Sequence, residues 1–274
     1  MSAPLGLIAG NGTFPFLVLR AARHAGHSVV VVAIEGEAWA DLEPLASQLG
    51  QTTFTWISLG QLGRCIRTFT DAGVTRAVMA GQVKHVKLFG GVLPDMTLLK
   101  VLTRLRAKNT DALIAAVADV LQDHGVTLMD STALLPELVA GAGVLSQTRP
   151  TEAMEKDFAF GARMAELVAG GDIGQTVVVK DRAVVAVEAM EGTDAVIARA
   201  GALAGRGTRV IKVAKPKQDM RFDVPVVGVA TIDAMKAAGA DGLSIDAGQT
   251  LMLDGAAFVQ AADQAGIVVV GRAR

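Results

Sequence analysis

Short apolar runs alternate with longer stretches of helical period through the first half of the chain. Residues 4–9 form one run, which ends at Gly10-Asn11-Gly12. Val29–Ile34 is an unbroken run rich in valine, the pattern of a strand buried on both faces. Residues 52–57, 77–80 and 126–129 repeat the strand signal. Between the runs, residues 15–25, 62–72 and 111–124 carry apolar positions at helical spacing. The first of these helices has Pro15 at its start and Gly26 just past its end. Leu98, Leu99, Val101, Leu102 and Leu105 place another apolar face on a helix over 98–108. Strands alternating with helices predict a parallel, doubly wound, Rossmann-like sheet over residues 1–130.

The alternation stops at residues 131–151, where Pro136, Gly141, Gly143 and Pro150 crowd together and predict a linker. A second pattern fills residues 152–274. It predicts helices over 152–169, 196–204, 231–238 and 254–265, the third closed by Gly239. Strands are predicted over 176–179, 184–188, 209–213, 243–245 and 267–270. The first two are joined by a tight turn at Lys180–Arg182, and a hairpin there makes a mixed sheet the expectation. The fold class is therefore α/β in two domains, with a ligand cleft expected between them.

Composition narrows the function classes. The 274 residues are 51% hydrophobic and 19% charged, which suits packed cores and excludes a disordered chain. Net charge is −1, so nothing draws the whole molecule to nucleic acid. The single Cys65 excludes an internal disulfide, and its place beside Ile66 in a helical pattern predicts burial. His24, His27, His85 and His124 form no metal-binding spacing. No apolar run reaches the roughly 20 residues of a membrane span, and a cytoplasmic protein is expected. Charge is uneven, however. Lys84, Lys87, Lys100, Arg104, Arg106 and Lys108 face only Asp95, and such a basic amphipathic stretch can lie on an anionic membrane surface.

Five places could carry chemistry. The turn Gly10-Asn11-Gly12-Thr13 leaves a strand and opens a helix, the setting in which backbone amides meet a diphosphate. Glu35 at the end of the second strand would suit a dinucleotide ribose, but the glycines read G-x-x-x-G-x-G rather than G-x-G-x-x-G. Gln82 and Lys84 follow a strand end and offer an amide and a cation. Thr193 and Asp194 open a helix, where either could cap it or contact an anion. Lys215, Lys217, Asp219, Arg221 and Asp223 are the densest cluster, two carboxylates among cations just after a strand. That set suits a diphosphate with Mg²⁺, which takes one or two carboxylates and completes its shell with water and phosphate oxygens. Phe222 and Val224 flank Asp223 and, in an extended segment, would point away from it. Asp246, Gln249 and Thr250 mark another strand end followed by a glycine turn.

Taken together, the motifs resemble a known family. Gly6-Leu-Ile-Ala-Gly-Asn-Gly-Thr-Phe-Pro15, Ala80-Gly-Gln-Val-Lys84, Thr132-Ala-Leu-Leu-Pro136, Gly171-Asp-Ile-Gly-Gln175, Ala189-Met-Glu-Gly-Thr-Asp194 and Lys215-Pro-Lys-Gln-Asp-Met-Arg-Phe-Asp-Val-Pro225 are similar to those of the UDP-2,3-diacylglucosamine pyrophosphatases of the LpxI type, from the lipid A pathway. The resemblance implies hydrolysis of a lipid-linked UDP-sugar to UMP and 2,3-diacylglucosamine 1-phosphate, assisted by Mg²⁺ or another divalent cation. It implies water attack at the sugar-side phosphorus, with Asp223 most tied to catalysis and Asp219 and Lys215 beside it. Asp223 and Asp219 would hold the metal. Gly10, Asn11, Gly12, Thr13, Gln82, Lys84, Thr193, Asp194, Lys217, Arg221, Asp246 and Gln249 would contact the substrate. A diacyl substrate implies a peripheral enzyme at the inner face of the cytoplasmic membrane, and a homodimer is compatible with it. Two other classes compete: an NAD(P)-dependent oxidoreductase, which the glycine turn and Glu35 favour, and a non-catalytic carrier of lipid or nucleotide sugar.

Overall fold

A computed structural model describes residues 3–83, 93–105 and 110–273. Lys84, Lys87, His85, Arg106 and Lys108 lie outside the described residues, and with them most of the basic stretch. The chain divides into two compact units. Unit 1 comprises Met1–Leu135 and Met220–Asp223, and unit 2 comprises Pro136–Asp219 and Val224–Arg274. The chain therefore returns to unit 1 for four residues in the middle of the lysine–aspartate segment.

Unit 1 is built on a parallel sheet of β1 (Leu5–Ala9), β2 (Val29–Ile34), β3 (Thr52–Ile57), β4 (Arg76–Ala80) and β5 (Thr127–Leu128), in the order β3-β2-β1-β4-β5. All six residues of β2 are buried, as its valine run requires. Helices α1 (Phe14–His24), α2 (Leu42–Leu49), α3 (Leu62–Asp71), α4 (Met96–Arg104) and α5 (Thr110–Asp123) connect or cover the strands. Helix α2 has no counterpart among the sequence expectations, and Pro44 stands inside it. Pro44 occupies the first turn, where a missing N–H costs no helical hydrogen bond. The core gathers Phe69, Leu121 and Val126 with Val30 and Val32 of β2. Asp95 ties two helices together. One oxygen accepts from Thr97 N and Leu98 N at the start of α4, and the other accepts from Gly63 N at 2.7 Å in α3.

Unit 2 carries the mixed sheet. Its order is β6 (Gly143–Val144), β13 (Val268–Arg272), β11 (Ala240–Asp246), β9 (Thr208–Lys212), β7 (Thr176–Lys180) and β8 (Ala183–Val187). The β9-β11-β13 pairs are parallel, and β7 pairs antiparallel with both β8 and β9. A separate parallel pair joins β10 (Val226–Val227) and β12 (Leu251–Met252). The β7–β8 hairpin turns through Asp181 and Arg182, both at positive φ. The buried Asp157 holds that conformation by accepting from both of their amides. Helices α6 (Glu152–Gly170), α7 (Thr193–Ala204), α8 (Val229–Ala238) and α9 (Ala256–Ala265) complete the unit. Helix α6 starts at Thr151, whose hydroxyl accepts from Met154 N. Asp254, expected inside α9, precedes it and accepts from Val229 N at the start of α8 instead.

Candidate active site

In unit 1, strands β2 and β4 lie on opposite sides of β1, so connections diverge at the carboxyl ends of β1 and β4. Such a switch point is where open α/β sheets bind ligands. The two loops there are laced together. Gly10 N donates to Ala80 O at 2.8 Å, Asn11 N to Gln82 O at 2.7 Å, and Gln82 N to Asn11 O at 3.1 Å. Glycine is required for this approach. A Cβ on Gly10 would lie 2.6 Å from Gln82 O, and one on Gly81 would lie 2.5 Å from Asn11 O. These contacts change the reading of the first motif. The Gly10 and Asn11 amides both donate to the neighbouring loop. Gly12, at φ +95 with open space around its Cα, keeps the room that the motif predicted. Pro15 lacks an N–H, which thins the anion-binding end of α1 further.

Below these loops lies a cavity of about 430 Å³. Its walls are apolar, with Ile8, Ile34, Met79, Leu98, Leu102 and Val117 among them, and Cys65 also contributes. Gly10, Gly81 and Gln82 line it at the loops, and so do Phe222 and Asp223. The predicted alternation fails at this point. Residues 220–222 form a turn rather than an extended segment, so Phe222 and Asp223 both face the cavity. The Arg221 guanidinium sits over the Phe222 ring, 5.7 Å from its centroid. Cys65 is 3% exposed, and burial pushes its thiol up to about 12. It is an inert wall residue rather than a nucleophile.

Ser131 holds the segment that carries Asp223, although the sequence places it in the linker over 131–151. Its amide donates to Met220 O at 2.8 Å. Its hydroxyl lies 2.7 Å from Met79 O, in β4, and 2.7 Å from Arg221 O. Nothing local in the sequence marks it, because these partners stand 52 and 90 residues away.

The remaining candidates belong to unit 2. Asp219, Lys215 and Lys217 precede the four-residue return to unit 1, so the two aspartates read as a pair belong to different units. Lys215 Nζ pairs with Asp172 at 2.9 Å, and its amide donates to Gln218 Oε1. Lys217 is exposed. Thr193 does not cap α7, whose N-cap is Gly192. Its hydroxyl donates to Glu188 Oε1 at 2.9 Å and accepts from the nearly buried Lys212 Nζ at 2.7 Å. Asp194 is exposed in the first turn of α7. Just before that helix, the hydrogen bond from Arg199 holds the Glu191 carboxyl below its usual range. Asp246, expected to face a ligand, is fully buried. It accepts from Ala214 N at 2.9 Å and from Arg272 at 2.7 and 2.9 Å. Its carboxylate anchors the start of the lysine–aspartate segment to β11 and β13. Gln249 is half-buried in the turn after it. Lys84 lies outside the described residues.

Among the described residues, no three His, Cys, Asp or Glu side chains gather as a metal cage. No helix there is long and apolar enough to cross a membrane.

Comparison with known proteins bears on this arrangement. A family model described as the LpxI N-terminal domain matches residues 4–138, and one described as the LpxI C-terminal domain matches residues 141–270. The UDP-2,3-diacylglucosamine pyrophosphatase LpxI of Caulobacter vibrioides is 32% identical over 280 residues, covering 97% of this chain and 96% of that protein. Among solved structures, the UDP-glucose-4-epimerase (galE) of Stenotrophomonas maltophila, with bound NAD and formylated UDP-arabinopyranose, matches at 16% identity. It covers 63% of this chain and 50% of that one at a TM-score of 0.34, a likeness too slight to argue from.

Proposed function

The chain belongs to the LpxI family, and on that premise we propose that it hydrolyses the diphosphate of UDP-2,3-diacylglucosamine, giving UMP and 2,3-diacylglucosamine 1-phosphate. One observation carries the reading in this chain. An apolar cavity at the carboxyl ends of a parallel sheet has a carboxylate, Asp223, in its wall. An acyl chain suits the apolar walls, and a reacting phosphate suits the polar loops. A nicotinamide enzyme has less support, since the loop amides are engaged with each other and Glu35 carries no glycine fingerprint beside it.

In this reading the water oxygen bonds to the sugar-side phosphorus. The bond from that phosphorus to the bridging oxygen breaks, and UMP leaves with the bridging oxygen. Asp223 orients the water or the phosphate, and Arg221, two residues before it, offsets charge on the non-bridging oxygens. The donor chemistry suits a divalent cation that arrives with the substrate. Mg²⁺ needs only one or two carboxylates when water and phosphate oxygens fill its shell, so the lack of a three-acid cage among the described residues is no obstacle. Asp223 would hold it, and the ion would supply charge neutralisation at the diphosphate.

The test is direct. Purified protein is incubated with UDP-2,3-diacylglucosamine in mixed micelles, with Mg²⁺ or with excess EDTA after metal stripping. UMP release that stops in EDTA supports both the reaction and the metal. Full release in EDTA would remove the metal from the account. Stoichiometric binding without UMP would identify a carrier.

A further inference from the structure

We propose that Ser131 is the positioning residue of the active site, fixing the Met220–Asp223 segment so that the Asp223 carboxylate faces the cavity. The proposal rests on the reading of Asp223 given above. Ser131 is 1% exposed, and its backbone and side chain both serve the same segment. The amide donates to Met220 O, while the hydroxyl lies 2.7 Å from both Arg221 O and Met79 O, and its one proton is shared between the two carbonyls. Met79 lies in β4, paired with Ile8 of the central strand β1, so the hydroxyl links the segment to the middle of the unit 1 sheet. Asp223 follows two residues after Arg221, with only Phe222 between them.

Ser131 is itself fixed from below. Asp130 forms a turn around it, with one carboxylate oxygen accepting from both Thr132 N and Thr132 Oγ1 at 2.7 Å. The Asp130 carbonyl accepts from Ala133 N, and Met129 N donates to Ala77 O on β4. A chain of bonds therefore runs from the sheet through the Asp130 turn and Ser131 to the backbone next to Asp223. The site needs such support, because a carboxylate that must meet a reacting phosphate loses its effect when displaced. A misplacement of about 1 Å can cost about 10²-fold in rate.

The test compares Ser131→Ala, Ser131→Cys, Asp223→Ala and the Ser131→Ala/Asp223→Ala pair, each by single-turnover UMP release and by KM. Ser131→Ala is expected to lower kcat by roughly 10- to 100-fold with KM within about threefold of the parent. Ser131→Cys keeps the shape with a weaker donor and should fall between the two. It carries the same comparison if the alanine variant does not fold. In the Asp223→Ala background, Ser131→Ala should cause no further loss, because the group it positions is gone. Losses that multiply in the double variant would overturn the proposal, since Ser131 would then act elsewhere. A parent-like kcat for Ser131→Ala beside an inactive Asp223→Ala would also overturn it, while leaving the reading of Asp223 intact. Parent-like turnover in Asp223→Ala would overturn that reading and the proposal with it.

Discussion

Replacing Gly81 with alanine tests the strand-end clamp on which the site is built, and Gly12→Ala supplies the control. Both glycines sit at positive φ, +87 and +95, so each alanine bears a left-handed penalty of about 1–2 kcal/mol. At Gly12 nothing lies within 4 Å of the new Cβ, and the penalty ends there. At Gly81 the Cβ would stand 2.5 Å from Asn11 O and 2.8 Å from Gly10 C, and backbone cannot swing aside as a side-chain tip can. The loops must part, giving up the paired hydrogen bonds between Asn11 and Gln82. At about 0.5–1.5 kcal/mol each, these bring the total for Gly81→Ala to about 2–5 kcal/mol. The gap between the variants is about 1–3 kcal/mol, a large share of an ordinary folding stability of 5–15 kcal/mol. The chain's two tryptophans, Trp39 and Trp56, both lie in unit 1, so tryptophan fluorescence in urea follows this unit alone. Equal destabilisation of the two variants would refute the clamp.

Other perturbations separate the remaining roles. Arg272→Met removes the guanidinium that neutralises the fully buried Asp246, and should destabilise unit 2 by about 3 kcal/mol in far-ultraviolet circular dichroism. The tryptophan transition should stay in place, and a shift confined to that transition would contradict the assignment. Burial raises the Cys65 thiol from 9.0 to about 12, so the stability linked to it is intact below pH 9 and is lost between pH 9 and about 12. Between pH 8 and 10 the parent should lose about 1.4 kcal/mol more than Cys65→Ala in urea melts, and parallel profiles would count against a buried thiol. Leu93, just before α4, and Met96 and Leu99 within it are 91%, 69% and 42% exposed, while Leu98 and Leu102 of α4 line the cavity. Met96→Glu/Leu99→Glu should therefore float less with anionic phosphatidylglycerol vesicles than the parent does. Equal flotation, or none by the parent, would argue against membrane docking through α4.

Period and composition made the two α/β units legible. The buried valine run of β2 announced a parallel strand, and the spacing around Asp181 announced the hairpin that makes the second sheet mixed. The two-residue strands β6, β10 and β12 are too short to leave a period, and Pro44 disguised α2. The candidate site was legible in residue type but not in partnership. The sequence marks Gly10 as a turn glycine but does not show that its small size also admits a loop about 70 residues further on. Asp246 looked ligand-facing until Arg272, on the last strand, took its carboxylate. Ser131 was invisible for the same reason, its partners being supplied by the fold rather than by neighbours in sequence.

If Asp223 acts on the reacting diphosphate, as proposed, single-turnover UMP release by Asp223→Ala must show it. Mass spectrometry of lipid retained through purification gives the second reading of the same sample. Loss of one electrostatic stabiliser costs on the order of 10²–10³ in turnover, while ground-state binding is separable from it. The variant should therefore be folded by its tryptophan transition, nearly inactive, and loaded with intact UDP-2,3-diacylglucosamine. UMP release at close to the parent rate would contradict the account.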